Sequence, residues 1–179
     1  MDRRTLKTQK AIRDAFLTLA SKKSITKITV VEISHLANLG RGTFYSHYKD
    51  IYDLYEHIES DFYLEIEQLF DQSYSGDDSD DLMFLTSQLT EFIEVNKAVF
   101  LLFIGLENSG RTMHKLKDII NKKMTWKKSD LYSSDYFAVK TKFIISGVIG
   151  VLEEWLLNRL ELSKKQISET LYNVLQRLE

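Results

Sequence analysis

Apolar side chains at Ile12, Ala15, Phe16, Leu19 and Ala20 follow the i, i+3, i+4, i+7, i+8 spacing of one helix face. Lys7, Lys10, Arg13 and Asp14 occupy the other face, so a helix is predicted over about 4–22, ended by the polar run SKKSITK. Thr29 and Glu32 stand at capping-box spacing. A short helix follows them, with Val30, Ile33, Leu36 and Ala37 turned inward. Asn38 and Gly40 flank Leu39, and both residue types tolerate the left-handed backbone of a tight turn. A second short helix is predicted over 41–47, with Phe44 and Tyr48 spaced i, i+4. Two short helices joined by a three-residue turn containing Gly make the helix-turn-helix pattern.

Asp50 is placed to cap the next helix, with Asp53 in its first turn where a negative charge suits the dipole. One stripe, Ile51, Leu54, Tyr55, Ile58, Phe62, Ile66, Leu69 and Phe70, then continues for some twenty residues, and the acidic run SYSGDDSDD ends it. Further helices are predicted over 80–95, across AVFLLFIGL after a break at Asn96, and over 111–124 after a break at Asn108-Ser-Gly110. TWKKSDLYSSD reads as a loop. A long helix over 136–160 follows, and Ser163 and Gln166 open a last one carrying Ile167, Leu171, Val174, Leu175 and Leu178. The pattern divides the chain into a helix-turn-helix head, 1–49, and a helical body, 50–179, joined by a connecting helix over 50–74.

Composition narrows the class. With 179 residues, 44% apolar and 28% charged, the chain has enough material for a hydrophobic core. No cysteine means no disulfide framework, thiolate metal site or cysteine nucleophile. No proline and only seven glycines favour an all-α fold. FIISGVIGVL, 143–152, is half of the roughly 20 residues that span a bilayer, and no apolar run follows the basic start, so a cytoplasmic protein is expected. His35, His47, His57 and His114 lack ligand spacing, and Glu153-Glu154 and Asp77-Asp78 point apart. No phosphate loop, nucleophile elbow or HExxH occurs, so neither an enzyme nor a cofactor or metal is expected.

The net charge of −2 hides an asymmetry. Residues 1–50 hold ten Lys and Arg against four Asp and Glu, a net +6, while the remainder holds fourteen against twenty-two, a net −8. Only the head suits a polyanion. Within it, NLGRGTFYSHYKD has the chemistry of a recognition helix. Arg41 can donate two bonds to guanine O6 and N7, and Gly42 lets the backbone approach closely. Thr43, Ser46 and His47 can bond phosphates or bases, and Tyr45 shares the exposed face of Arg41. Lys49, the amides near Asp50, and the Thr29 helix start are placed for phosphates.

Thr29, Glu32-Ile33, Leu36-Ala37 and the run RGTFYSHYKD, 41–50, resemble the DNA-binding signature of TetR/AcrR-family transcriptional regulators, a likeness covering residues 5–60. The chain departs from it at Asn38, where the family has Gly, at Gly40 for Ser or Thr, and at Ile51, where a second lysine is common. FIISGVIGVLEEWL, 143–156, is similar to a C-terminal domain type of low-GC Gram-positive members. The resemblance implies an all-helical homodimer of about nine helices, most simply a repressor, reading a pseudo-palindromic operator. Arg3, Arg4 and Lys7 would join the phosphate contacts.

The same resemblance puts the dimer interface on the last two helices, where Gly147, Val148, Leu152, Trp155, Leu156, Arg159, Leu171 and Leu175 are candidates and Gly147 and Gly150 allow close helix approach; tight packing inside one subunit is the alternative. Phe84, Phe103, Trp126 and Phe143 are candidates for a small-molecule effector pocket in the body. The residues leave open a solid body signalled by a protein partner, an activator in place of a repressor, and an α-helical adaptor that does not bind DNA.

Overall fold

Each amphipathic stripe becomes a helix, and local devices set the ends of several of them. The structure is a computed structural model that describes residues 3–73, 79–105, 109–126 and 135–178. Nine α-helices run through these residues: α1 (Arg3–Ala20), α2 (Val30–Leu36), α3 (Arg41–Tyr45), α4 (Ile51–Ser73), α5 (Ser79–Val95), α6 (Lys97–Gly105), α7 (Ser109–Trp126), α8 (Asp135–Leu156) and α9 (Lys164–Gln176). A 3-10 turn at Ile25–Lys27 takes up part of SKKSITK, and no strand occurs among the described residues. Most of the acidic run after α4 and of TWKKSDLYSSD lies outside the described residues, as does Asn108. Ser109 and Gly110, expected in a break, form the first turn of α7.

The start of α2 is the expected box: Thr29 Oγ1 accepts from the Glu32 amide, and Glu32 Oε2 accepts from the Thr29 amide at 3.0 Å. Ser163 and Gln166 repeat it at α9. The end of α2 is a Schellman closure. Asn38 takes φ 53°, its amide donates to His35 O, and the Leu39 amide donates to Ser34 O at 2.9 Å. Gly40 does not share this geometry; it is extended, at φ −71° and ψ 147°, and stands before α3. Leu36, expected inside, is 49% exposed, while Ser34 is buried in its place beside Ile33.

The helix predicted over 136–160 ends at Leu156, because a second asparagine does what Asn38 does. Asn158 takes φ 56°, and the Arg159 amide donates to Glu154 O at 2.9 Å. The indole N–H of Trp155 donates to Leu162 O at 2.8 Å and holds the return into α9.

One cluster of buried side chains extends from Ile12 and Phe16 in α1 to Ile167 and Leu171 in α9. Its spine is α4, where Leu54, Ile58, Phe62, Ile66 and Phe70 are all buried. The Phe62 ring lies 5.1, 6.5 and 5.2 Å from those of Phe92, Phe100 and Phe103, which ties α4 to α5 and α6. A polar clasp joins α4 to α7. Thr112 Oγ1 donates to Glu59 Oε1 at 2.8 Å, Tyr55 Oη lies 3.1 Å from Thr112 Oγ1, and Tyr63 Oη reaches Glu59 Oε1 at 2.9 Å. Burial pushes the Tyr63 phenol up, so it stays a proton donor.

The residues expected at a dimer interface separate. Leu152, Trp155, Leu156 and Leu171 are buried in the core of their own subunit, with Val148 and Leu175 half-buried at its edge. Arg159 donates to Glu154 Oε1 at 2.8 Å, where it helps close the end of α8. The cause is helix phase: α8 turns these positions toward α5, α6 and α7. Gly147 and Arg159 are the members of the set left exposed.

Ser34 Oγ is buried and unpartnered, and such an orphan costs about 1–3 kcal/mol. Ser34→Ala is therefore expected to raise unfolding stability by about 1 kcal/mol. Urea titration checks this, and a loss of stability would show that the hydroxyl is satisfied.

Candidate nucleic-acid interface

A five-residue helix has no stability of its own. Helix α3 exists because Phe44, fully buried, and Tyr48, 7% exposed, are held in the head core with ring centroids 5.8 Å apart. Tyr48 also meets the His57 ring of α4 edge-on at 5.4 Å. Burial pushes the Tyr48 phenol up, so it is neutral. Anchoring two positions on one side fixes the other side outward. Arg41, Gly42, Ser46 and Lys49 are exposed, Tyr45 is 57% exposed, and Thr43 and His47 are half-buried at the rim.

A side chain at Gly42 would meet no atom within 4 Å, so nothing inside the subunit requires glycine there. The Tyr45 ring stands edge-on to Phe44 at 5.6 Å, which stiffens it as it projects. Ser46 Oγ donates to Thr43 O at 2.7 Å and keeps its lone pairs free for an external donor. Arg3, Arg4 and Lys7 are exposed along α1.

Two expected phosphate positions change character. Two amides around Asp50 are taken: Asp50 Oδ1 accepts from the Asp53 amide at 2.9 Å, and Asp53 Oδ2 accepts from the Lys49 amide at 2.9 Å. Two carboxylates already stand where a phosphate would sit. At Thr29 both the amide and the hydroxyl are committed to Glu32. Lys23 and Thr29 hold the Glu32 carboxyl below its ordinary range, with the Lys23 contact the larger cause. Lys49 is exposed beside the first of these places.

Sequence reasoning passed over Tyr52, 58% exposed in the first turn of α4 and three residues beyond Lys49. It falls off the apolar stripe of α4, and that is the signal which marks it. The clasp of Tyr55, Glu59, Tyr63 and Thr112 was missed because it joins residues about fifty positions apart, which no local pattern reveals.

The body candidates do not come together. Phe103 is fully buried against Tyr55, Phe62 and Tyr63, whereas Phe84 is 51% and Phe143 69% exposed. The Trp126 side chain lies outside the described residues. A cavity of about 80 Å³ does occur in the body, walled by other residues, among them Ile66, Leu85, Phe100, Leu116 and Ile149.

The C-terminal part of the chain, residues 80–177, matches the family described as transcriptional regulator C-terminal region, of TetR type. The chain is 43% identical over 49 residues to the uncharacterized HTH-type transcriptional regulator YxbF of Bacillus subtilis. That likeness spans 27% of the chain and 13% of the relative. Among solved structures it is similar to a transcriptional regulator from Aquifex aeolicus VF5, at 20% identity and TM-score 0.71 over 96% of this chain and 99% of that one. It is also similar to NalD of Pseudomonas aeruginosa, the secondary repressor of the MexAB-OprM multidrug efflux pump, at 17% identity and TM-score 0.71 over 98% and 97%. Both structures share its fold.

The Glu32 contact predicts a pH effect. A carboxyl depressed in the folded state stabilises above its unfolded pKa, and that contribution is lost as pH falls through the folded value. The Glu32 titration followed by NMR should have its midpoint below that of an ordinary glutamate. Lys23→Gln should move the midpoint up, and an unmoved midpoint would remove Lys23 as the cause.

Proposed function

Because the chain belongs to the TetR family of transcriptional regulators, we propose that it is a homodimeric repressor that reads a pseudo-palindromic operator through α3 and is released by a small molecule bound in the body. In this reading residues 1–49 are the DNA-binding head, 50–179 the regulatory and dimerisation body, and α4 the connection between them. The observation that carries DNA recognition is the sidedness of 41–49: Phe44 and Tyr48 fill the head core while Arg41, Gly42, Tyr45, Ser46 and Lys49 share the open face. A recognition helix meets base edges with its N-terminal residues and phosphates with its flanks. Arg41 and Tyr45 read bases. Lys49, Arg3, Arg4 and Lys7 hold phosphates, Thr43, Ser46 and His47 bond at the groove edge, and Tyr52 adds a phenol beside Lys49.

Dimerisation is supported by a face of α8 other than the one its sequence suggested. Tyr136, Val139 and Phe143 are 73%, 66% and 69% exposed at helical spacing, and Gly147 and Gly150 continue the same stripe. A side chain at either glycine would meet nothing within 4 Å, so packing within the subunit does not account for them. Glycine inside a helix costs about 0.5–1 kcal/mol against alanine. A second copy of α8 lying close across the stripe gives that cost a purpose, and two copies place two α3 helices on successive turns of one DNA face, about 34–36 Å apart. Repression follows from occupying the operator, and NalD, of the same fold, is a repressor.

Two measurements test these roles. Arg41→Ala should lose about 1–3 kcal/mol of discrimination between a selected operator and a scrambled duplex. Lys49→Ala should instead weaken both alike and flatten the salt slope by roughly 0.9 per lost contact. Titrations over a salt series separate them; the reverse pattern would mean the roles are exchanged, and no effect from either would remove α3 as the recognition element. For the dimer, Phe143→Glu should give a folded monomer by sedimentation with operator affinity sharply reduced, because both half-sites must be engaged together. A dimer that survives Phe143→Glu, or loss of folding with it, refutes the α8 stripe.

A further inference from the structure

A cleft of about 880 Å³ opens between the head and the body, and it shares no described lining residue with the body cavity. The head side is the end of α1 and the turn after it, where Leu17, Ala20 and Ile25 give an apolar surface. The body side is a face of α6 that includes Ala98 and Leu101, with Leu157 just beyond α8. Val95, also in its wall, is left 72% exposed. Small-molecule sites commonly measure about 300–1,000 Å³. The cleft falls in that range, whereas the body cavity, at about 80 Å³, does not.

The chemistry of the wall selects the ligand. Among the described lining residues none is aromatic and none is acidic. A flat ring therefore finds nothing to stack on, while a flexible aliphatic chain meets leucine and alanine side chains on both sides. The charged residues are Lys23 and Lys97. Lys23 is answered by Glu32, but Lys97 is half-buried and has no ion pair among the described residues. The two serines of the wall are engaged locally: Ser21 Oγ donates to Thr18 O at 2.9 Å, and Ser24 Oγ lies 3.0 Å from Thr26 Oγ1. An aliphatic surface beside an unanswered cation complements an anion that carries an alkyl chain. The chain gains by leaving water, and the anion accepts from the Lys97 ammonium. A cationic amphiphile meets like charge there.

We propose that this cleft binds a single-chain anionic amphiphile, such as an alkyl carboxylate, with its tail between α1 and α6 and its anionic group at Lys97. An occupant touches head and body at once, so its affinity depends on the angle between them, and by linkage its binding holds that angle. The consequence for operator affinity rests on the DNA-binding reading above and adds a second ligand site to it.

The test uses the full-length protein with decanoate, decanol and decyltrimethylammonium, each below its micelle concentration. Calorimetry and thermal unfolding should show decanoate binding with a raised Tm, decanol binding more weakly, and the cationic probe not binding. Lys97→Gln should weaken decanoate by about fivefold, the upper range for a partly exposed ion pair, and leave decanol unchanged. Ala98→Trp and Ser21→Trp, at exposed positions on opposite walls, should each abolish binding, so a folding defect in one does not remove the test. Val148→Phe, which fills the body cavity, should leave decanoate binding intact. Decanoate at saturation should change the operator Kd by at least about fivefold. Equal binding of all three probes, binding that survives both tryptophans, or binding lost in Val148→Phe refutes the cleft as the site. If decanoate binds in the cleft and the operator Kd does not move, its regulatory role is refuted. A protein that fails to bind its operator in the absence of probes refutes the DNA-binding reading instead.

Discussion

Helix α4 must bury one side along its whole length, and the rest of the molecule is arranged around that requirement. Its 23 residues keep Leu54, Ile58, Phe62, Ile66 and Phe70 out of water. Burying a side chain of this size contributes roughly 1.5–3 kcal/mol. No single neighbour is long enough to cover the stripe. The N-terminal turns are covered where Tyr48 meets His57 and Arg13 lies 3.8 Å from Asp61. The later turns are covered by α5, α6 and α7. Head and body are thus two ends of one core, and a shift of α4 in the body is felt at α3.

The polar clasp of Glu59, Tyr55, Tyr63 and Thr112 sits midway along this helix. Apolar contacts tolerate sliding, whereas hydrogen bonds to one carboxylate oxygen do not. The clasp therefore sets the axial position of α4 against α7, while the rings of Phe62 and Phe103 set its depth. Lys115 Nζ lies 4.4 Å from the Tyr63 ring centre and covers the clasp from the solvent side.

The head makes economical use of carboxylates. Glu32 closes α2 and answers Lys23, while Asp50 and Asp53 close α4. These groups fix the ends of the helices that present α3, and they occupy the amides of Thr29, Lys49 and Asp53.

Local pattern alone determined most of the helices, the turn at Asn38, both capping boxes, and the inward Phe44 and Tyr48 that turn Arg41 and Tyr45 outward. These are short-range matters of spacing and capping, and one turn of helix contains all the information they need. The left-handed Asn158 was as available in the sequence as Asn38, but the apolar run beyond it, to Leu160, masked it. Tertiary structure alone decided which side of α8 faces its own core. Leu152, Trp155 and Leu156 and the stripe of Tyr136, Val139 and Phe143 are both apolar, and periodicity cannot say which one a subunit keeps. It also decided where the body is hollow. Phe84 and Phe143 stand exposed while other residues from six helices wall the cavity, because a void is set by how distant helices meet and no single helix records it.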